Sequence, residues 1–216
     1  MNARRRESAF TLIELLVVIA IIGLLAGLLA PALLQGRDAA LTAHCLGSMR
    51  QVATATLMYA DQHNDTFPRS QHSAFARRET AWAKAIAPFL NVDGAAWSTL
   101  LASVYHCPAD ARRGRPSYGL NVYFELGPDD SYEGAPTTWR RVTDVPNPSA
   151  TILFAENNSD ADHIMPHFWT SPADAADCAH DRHAGRANYA FVDGHVETRA
   201  LTETFDPARD VDAWHP

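Results

Sequence analysis

The apolar pattern begins with one unbroken block. Residues Phe10 to Leu34 read FTLIELLVVIAIIGLLAGLLAPALL, and the twenty positions from Leu15 to Leu34 carry no charge. A helix needs about 20 apolar residues to cross a bilayer core. From Gln35 to about His63 the pattern turns amphipathic. Leu41, Cys45, Met49, Val52 and Thr56 recur at spacings of three and four, with Leu34, Ala55 and Tyr59 beside them, while Arg37, Asp38, Arg50 and Gln51 fall off the stripe. The pattern predicts one long helix, its first half in a membrane and its second half packed on a sheet. Asn64, Asp65 and Pro68 end it.

Further along, Thr80–Leu90 predicts a short helix with Trp82, Ile86 and Phe89 inward, and the apolar residues of Trp97–Tyr105 read as core. Ser117–Phe124 is strand-like, and residues 127–138 form a polar loop rich in turn formers. Ala150–Glu156 predicts a buried strand ending in a carboxylate. Asn188–Val192 and His195–Arg199 predict two strands joined at Asp193-Gly194, a preferred two-residue hairpin turn because both positions accept positive φ. The tail, Phe205–Pro216, is polar apart from Trp214 and is expected to lie over the surface or fray. Strands following a helix suggest an α+β fold with an antiparallel sheet.

Charge narrows the partners. The chain of 216 residues carries a formal net charge of −7, enough length for one globular domain after the helix. An acidic domain argues against nucleic acid, whose phosphates need a basic stripe. Arg4, Arg5 and Arg6 stand just before the apolar block and favour a cytoplasmic N-terminus with the rest of the chain on the far side. Two features do not suit a plain signal anchor. Glu14 is a carboxylate inside the apolar segment, where an ionisable group is costly and calls for a partner. Pro31 removes a helix hydrogen bond and favours a kink near the other end. No small-residue cleavage site closes the apolar run as in a secretory signal peptide.

The run Ala9-Phe10-Thr11-Leu12-Ile13-Glu14-Leu15-Leu16-Val17-Val18 resembles the N-terminus of type IV prepilins and type II secretion pseudopilins. The resemblance covers about the first tenth of the chain. It implies a leader, residues 1–9, cut between Ala9 and Phe10 by a prepilin peptidase/methyltransferase, with Phe10 then N-methylated. This sequence departs from the family at Ala9, where glycine is usual. The resemblance also makes residues 10–34 the transmembrane and filament-core helix, and residues 35–216 a pilin-like globular domain that includes the second half of the helix. Glu14 becomes the fifth mature residue, an assembly residue that meets the free amine of a neighbouring subunit. Such a buried pair sets register more than it adds net stability. The implied protein is a structural subunit of a type II secretion pseudopilus or type IV pilus-like filament, and is not an enzyme. Its implied partners are other pilin-like subunits and an inner-membrane platform. Its implied place is the bacterial inner membrane, single-pass, with an extracytoplasmic C-terminal domain.

A second resemblance is to a subgroup of these proteins with a "C-x-x-N-x-R-Q" helix leading into "YA-x-D-x-x-x-x-P"; here the helix reads from Cys45, with Ser48 in place of the asparagine. The subgroup ends in a histidine, nine residues, then Asp-Gly, which here is His183 and Asp193-Gly194. A structural role follows best, with His183 hydrogen-bonding the hairpin or its turn. The subgroup also has cysteines where this chain has Cys45 and Cys107, which implies that pair as a disulfide, contributing about 3–4 kcal/mol on the chain-entropy model. Cys178 is then left over.

Metal chemistry has three candidate sets. Cys107, Cys178, His106 and His180 could make a zinc site, but no C-x-x-C is present. Asp129, Asp130 and Glu133 invite calcium, although their spacing matches no ion-binding loop and a solvated acidic loop is the simpler reading. His163, His167, His180, His183 and His195 fall close together, and His163 and His183 with Glu156 could suit a transition ion. Most histidine clusters are not ligated, and a chain without a metal is the default. A membrane-anchored, extracytoplasmic ligand- or metal-binding module is therefore the alternative to the filament subunit. An anchored hydrolase would need a nucleophile motif such as G-x-S-x-G, and none is present.

Overall fold

A computed structural model describes residues 12–90, 92, 96–125 and 139–216. The Ala9–Phe10 junction, Arg4 to Arg6 and the acidic trio Asp129, Asp130 and Glu133 lie outside them. The first element is the predicted long helix, α1, Leu12–Gln62, which runs through Pro31 without interruption. The chain divides into two compact units between Ala40 and Leu41.

In the first unit the helix carries its apolar side chains outward. Leu12, Leu16, Ile22, Leu28 and Leu33 are all more than half exposed. By length and composition this helix can cross a membrane.

In the second unit, Leu41 to Gln62 buries Cys45, Ser48, Met49, Val52, Ala53, Ala55, Thr56 and Ala60. That is the stripe read from the sequence. Short helices follow: α2 (Gln71–Arg77), α3 (Trp82–Ala85) and α4 (Trp97–Ala102). The predicted Thr80–Leu90 helix is thus a four-residue α-turn followed by a 3-10 turn at Ala87–Phe89. Pro88 explains the break, because it supplies no N–H to continue the helix. Trp82 and Ile86 are fully buried, while Phe89 is half-buried. Trp97 also departs from the core reading: it is 37% exposed, with the Lys84 ammonium 5.6 Å above its ring.

Five strands form the sheet: β1 (Tyr118–Asn121), β2 (Ile152–Glu156), β3 (His163–Ile164), β4 (Ala187–Phe191) and β5 (Val196–Arg199). Their order is β3-β1-β2-β4-β5. The four from β1 to β5 are antiparallel, as expected, but β3 lies parallel to β1, so the sheet is mixed. The fold is α+β and pilin-like, a long N-terminal helix carrying a sheet.

The sheet is buried on both faces. Toward α1, Tyr118, Leu120, Phe154, Ala190 and Val192 join Cys45, Met49, Val52 and Trp82 in one core. On the opposite face Ile152, Ala155, Tyr189 and Phe191 join Trp169, Leu201, Phe205 and Trp214 in a second. The tail is therefore neither superficial nor frayed. It forms a small hairpin, β6 (Phe205–Asp206) with β7 (Val211–Asp212), and Trp214 is fully buried against Tyr189 and Trp169. The buried Asn121 amide donates to the Trp214 and Ile152 carbonyls, 2.8 Å each, and ties the tail to the sheet. A polar average concealed two large aromatics, Phe205 and Trp214, that the outer face of the sheet needed.

Candidate functional site

The polar residues singled out in the sequence converge where α1 meets the sheet. Side chains alternate along β2, so Glu156 follows Phe154 on the face toward α1. It is fully buried. His183 reaches it from the loop before β4, with Nε2 2.8 Å from Glu156 Oε1. The other ring nitrogen, Nδ1, lies 3.1 Å from Thr42 Oγ1 on α1. Cys45 is one turn along the same helix face and bonds to Cys107, with Cα atoms 5.1 Å apart. Cys107 Sγ is 3.6 Å from His183 Nε2. The second Glu156 oxygen accepts the Asn188 N–H at 2.9 Å. A helix, two loops and two strands are thereby pinned at one buried point.

The backbone beneath His183 is shaped for this. Ala184 and Gly185 both have positive φ, +54° and +81°, and Arg186 N donates back to the His183 carbonyl at 3.2 Å. That is the two-residue turn with positive φ at both centres that the sequence suggested for Asp193-Gly194. At Asp193-Gly194 the chain instead makes a three-residue loop. Phe191 N donates to the His195 carbonyl, Gly194 N to the Phe191 carbonyl, and only Gly194 has positive φ, +88°. The extra residue makes a bulge of the kind glycine permits. His183 does not bond this turn. The two ends of the motif lie at opposite ends of β4, one against Thr42 and the other near Leu57, which a methyl added at Gly194 would approach to 3.3 Å.

A layer of charge backs the joint. Arg182 places Nη2 3.2 Å from Asp110 Oδ2 and Nη1 3.9 Å from Glu156 Oε1. It also donates to the carbonyls of Asn157, at 2.7 Å, and Ser117, at 3.2 Å. Arg112 grips Asp110 from its own loop, at 2.7 Å. Burial alone would raise the Asp110 carboxyl, but the Arg112 hydrogen bonds and the Arg182 charge outweigh it and hold the pKa at about 2. Ser117 Oγ accepts the Cys107 N–H at 3.0 Å, fixing the loop that carries the disulfide.

The other sequence candidates are placed elsewhere. His163 sits on β3 with Nδ1 3.5 Å from Asp162, so it does not join His183 and Glu156. Burial opposes its protonation, but Asp162 and neighbouring carboxylates raise its pKa overall. His106 pairs with Arg113 and Ser117; burial and the arginine lower its pKa. Cys178 is buried, 4.0 Å from the Tyr189 hydroxyl, and burial pushes its thiol up. The zinc set Cys107, Cys178, His106 and His180 is thus not assembled, since Cys107 is spent on Cys45 and its neighbours are His183 and Glu156. Asp193 accepts the His195 backbone N–H at 3.0 Å within its turn.

Comparison with known proteins adds the other end of the chain. Residues 4–30 match the family described as the prokaryotic N-terminal methylation motif. Over that segment the chain is similar to prepilins. It is also similar to the type II secretion system core protein G of Pseudomonas aeruginosa, 38% identical over 68 residues, which is 32% of this chain and 47% of that protein. The chain thus spans about half the length of the curated relative it matches. No solved structure matches it. The matched motif ends one residue before Pro31, inside the apolar half of α1, and includes Glu14 in the first turn.

Four residues of the joint were missed in the sequence: Thr42, Asp110, Arg112 and Arg182. Thr42 and Arg182 carry a usable signal, since each lies within three residues of a motif position, Cys45 and His183. Asp110, three residues after Cys107, carries the same signal, and Arg112 carries none until the loop is folded.

Proposed function

We propose that this prepilin-like chain is a structural subunit of a type II secretion pseudopilus or type IV pilus-like filament, and not an enzyme. The observation that carries the reading is the methylation motif of residues 4–30 running directly into an exposed apolar helix. Prepilin peptidase cuts between Ala9 and Phe10 and the new N-terminus is methylated. The subunit waits in the inner membrane with residues 35–216 outside the cytoplasm, then enters a filament through its apolar helix, with Glu14 setting register against the Phe10 amine of a neighbour. Other pilin-like subunits and an inner-membrane platform are its partners, and nucleic acid is not. The similarity to a secretion system core protein favours the secretion filament.

Intact mass spectrometry of the chain recovered from membranes tests this. A mature chain beginning at Phe10 and carrying one extra methyl is expected. A chain that keeps Arg4 to Arg6 would make the segment a plain anchor, and the filament reading would fall.

A further inference from the structure

The four groups at the joint have a donor set of their own. One ligand atom from each of Cys45, Cys107, Glu156 and His183 lies within 4.8 Å of the others. Two thiolates, an imidazole and a carboxylate suit tetrahedral zinc, with bonds of about 2.3 Å to sulfur and about 2.0–2.2 Å to nitrogen and oxygen. Those bond lengths give tetrahedron edges of about 3.3–3.8 Å. The 3.6 Å from His183 Nε2 to Cys107 Sγ is already such an edge. The 2.8 Å from Nε2 to Glu156 Oε1 needs to open by about half an ångström on the same geometry. The sulfurs need only part from bonding distance, which side-chain rotation supplies.

The surroundings fit as well. A metal-bound histidine is oriented by a hydrogen bond at its other nitrogen, and Thr42 Oγ1 stands 3.1 Å from Nδ1. Asn188 N–H holds the free Glu156 oxygen. Two thiolates and a carboxylate would exceed a divalent charge by one, and Arg182, 3.9 Å from Glu156, offsets the excess.

We propose that, once the Cys45–Cys107 disulfide is reduced, this chain binds one thiophilic divalent ion of the Zn²⁺ class through Cys45, Cys107, His183 and Glu156. With a phosphine as reductant, the S–S bond takes up two electrons, the phosphine takes the oxygen of water to become its oxide, and both sulfurs gain protons. The ion then displaces those two protons to the solvent. The oxidised chain keeps only the imidazole and carboxylate and has no tetrahedral set. Ion and disulfide are alternative closures of one joint, each tying α1 to the loop before β1, and the ion adds the end of β2. This inference does not depend on the filament reading.

The test is a Co²⁺ titration of the full chain in detergent, without oxygen, before and after phosphine reduction. The reduced chain is expected to take one equivalent, with thiolate-to-cobalt charge transfer and the visible bands of a tetrahedral site, both erased by Zn²⁺. The oxidised chain is expected to show neither. Glu156→Gln, whose amide oxygen still accepts from Asn188, and His183→Ala each weaken binding about tenfold or more, whereas Cys178→Ala leaves it unchanged. Absence of the bands in the reduced wild-type chain overturns the proposal without reference to any variant. So do bands in the oxidised chain, or their loss in Cys178→Ala.

Discussion

At the residue scale His183 joins three elements of the structure at one buried point. It faces Glu156, Thr42 and Cys107 together. Truncating it leaves a buried carboxylate short of one partner, which costs more than the bond itself contributed. His183→Ala is expected to lower stability by about 3 kcal/mol, read as a fall in the urea midpoint of the full chain in detergent. Asp110 supplies a pH effect of definite sign. Its folded pKa, about 2, lies below the ordinary carboxylate value. Its contribution is therefore complete above about pH 4 and is lost as pH falls toward 2. Urea midpoints at pH 5, 3 and 2 are expected to drop through that window, and less so in Asp110→Asn. An equal drop in both chains would assign the acid sensitivity to other carboxylates.

At the element scale the β4–β5 hairpin depends on one glycine. Gly194 has φ +88°, and a side chain there would also meet Leu57 Cδ1 at 3.3 Å. Gly194→Ala combines a strained backbone with a tight contact to α1, and is expected to cost about 1–3 kcal/mol. Thermal unfolding compared with Gly185→Ala separates the two causes, because nothing lies within 4 Å of the position a Cβ would take at Gly185. The larger loss belongs at Gly194; equal losses would mean the Leu57 contact is slack. The same hairpin shows a limit of local reading. Asp-Gly signals a hairpin, but whether the loop holds two residues or three depends on how β4 and β5 align, and their register is set by the buried row from Ala187 to Phe191.

For the whole molecule the long-range tie is the Cys45–Cys107 bond, which closes a separation of 62 residues between α1 and the loop before β1. On the chain-entropy model a loop of this size contributes about 4 kcal/mol. Replacing both cysteines with alanine is expected to lower the urea midpoint of the metal-free chain by a corresponding amount. The change should be much smaller when the wild-type chain is itself reduced beforehand. If the two comparisons agree in size, packing of the alanines and not the cross-link accounts for the loss.

The sequence by itself determined the elements whose cause is local or periodic. The apolar block from Leu15, the amphipathic stripe from Leu41 to Thr56 and the buried strand at Ile152–Glu156 each repeat one chemical preference many times, so no partner is needed to recognise them. The pairing of Cys45 with Cys107 and the mark at His183 were legible through resemblance, without their chemistry. Tertiary structure alone decided the rest. Trp214 is one residue in a polar tail, and only the uncovered face of the sheet explains its burial. Asp110, Arg112 and Arg182 look like ordinary surface charges until folding removes water from them and leaves each the partner of another. His163 and His183 share one candidate metal set with Glu156, and only the fold separates them. β3 carries one to the sheet edge beside Asp162, and the turn at Ala184-Gly185 aims the other at Glu156, because position in a fold is set by contacts that a single chain does not record.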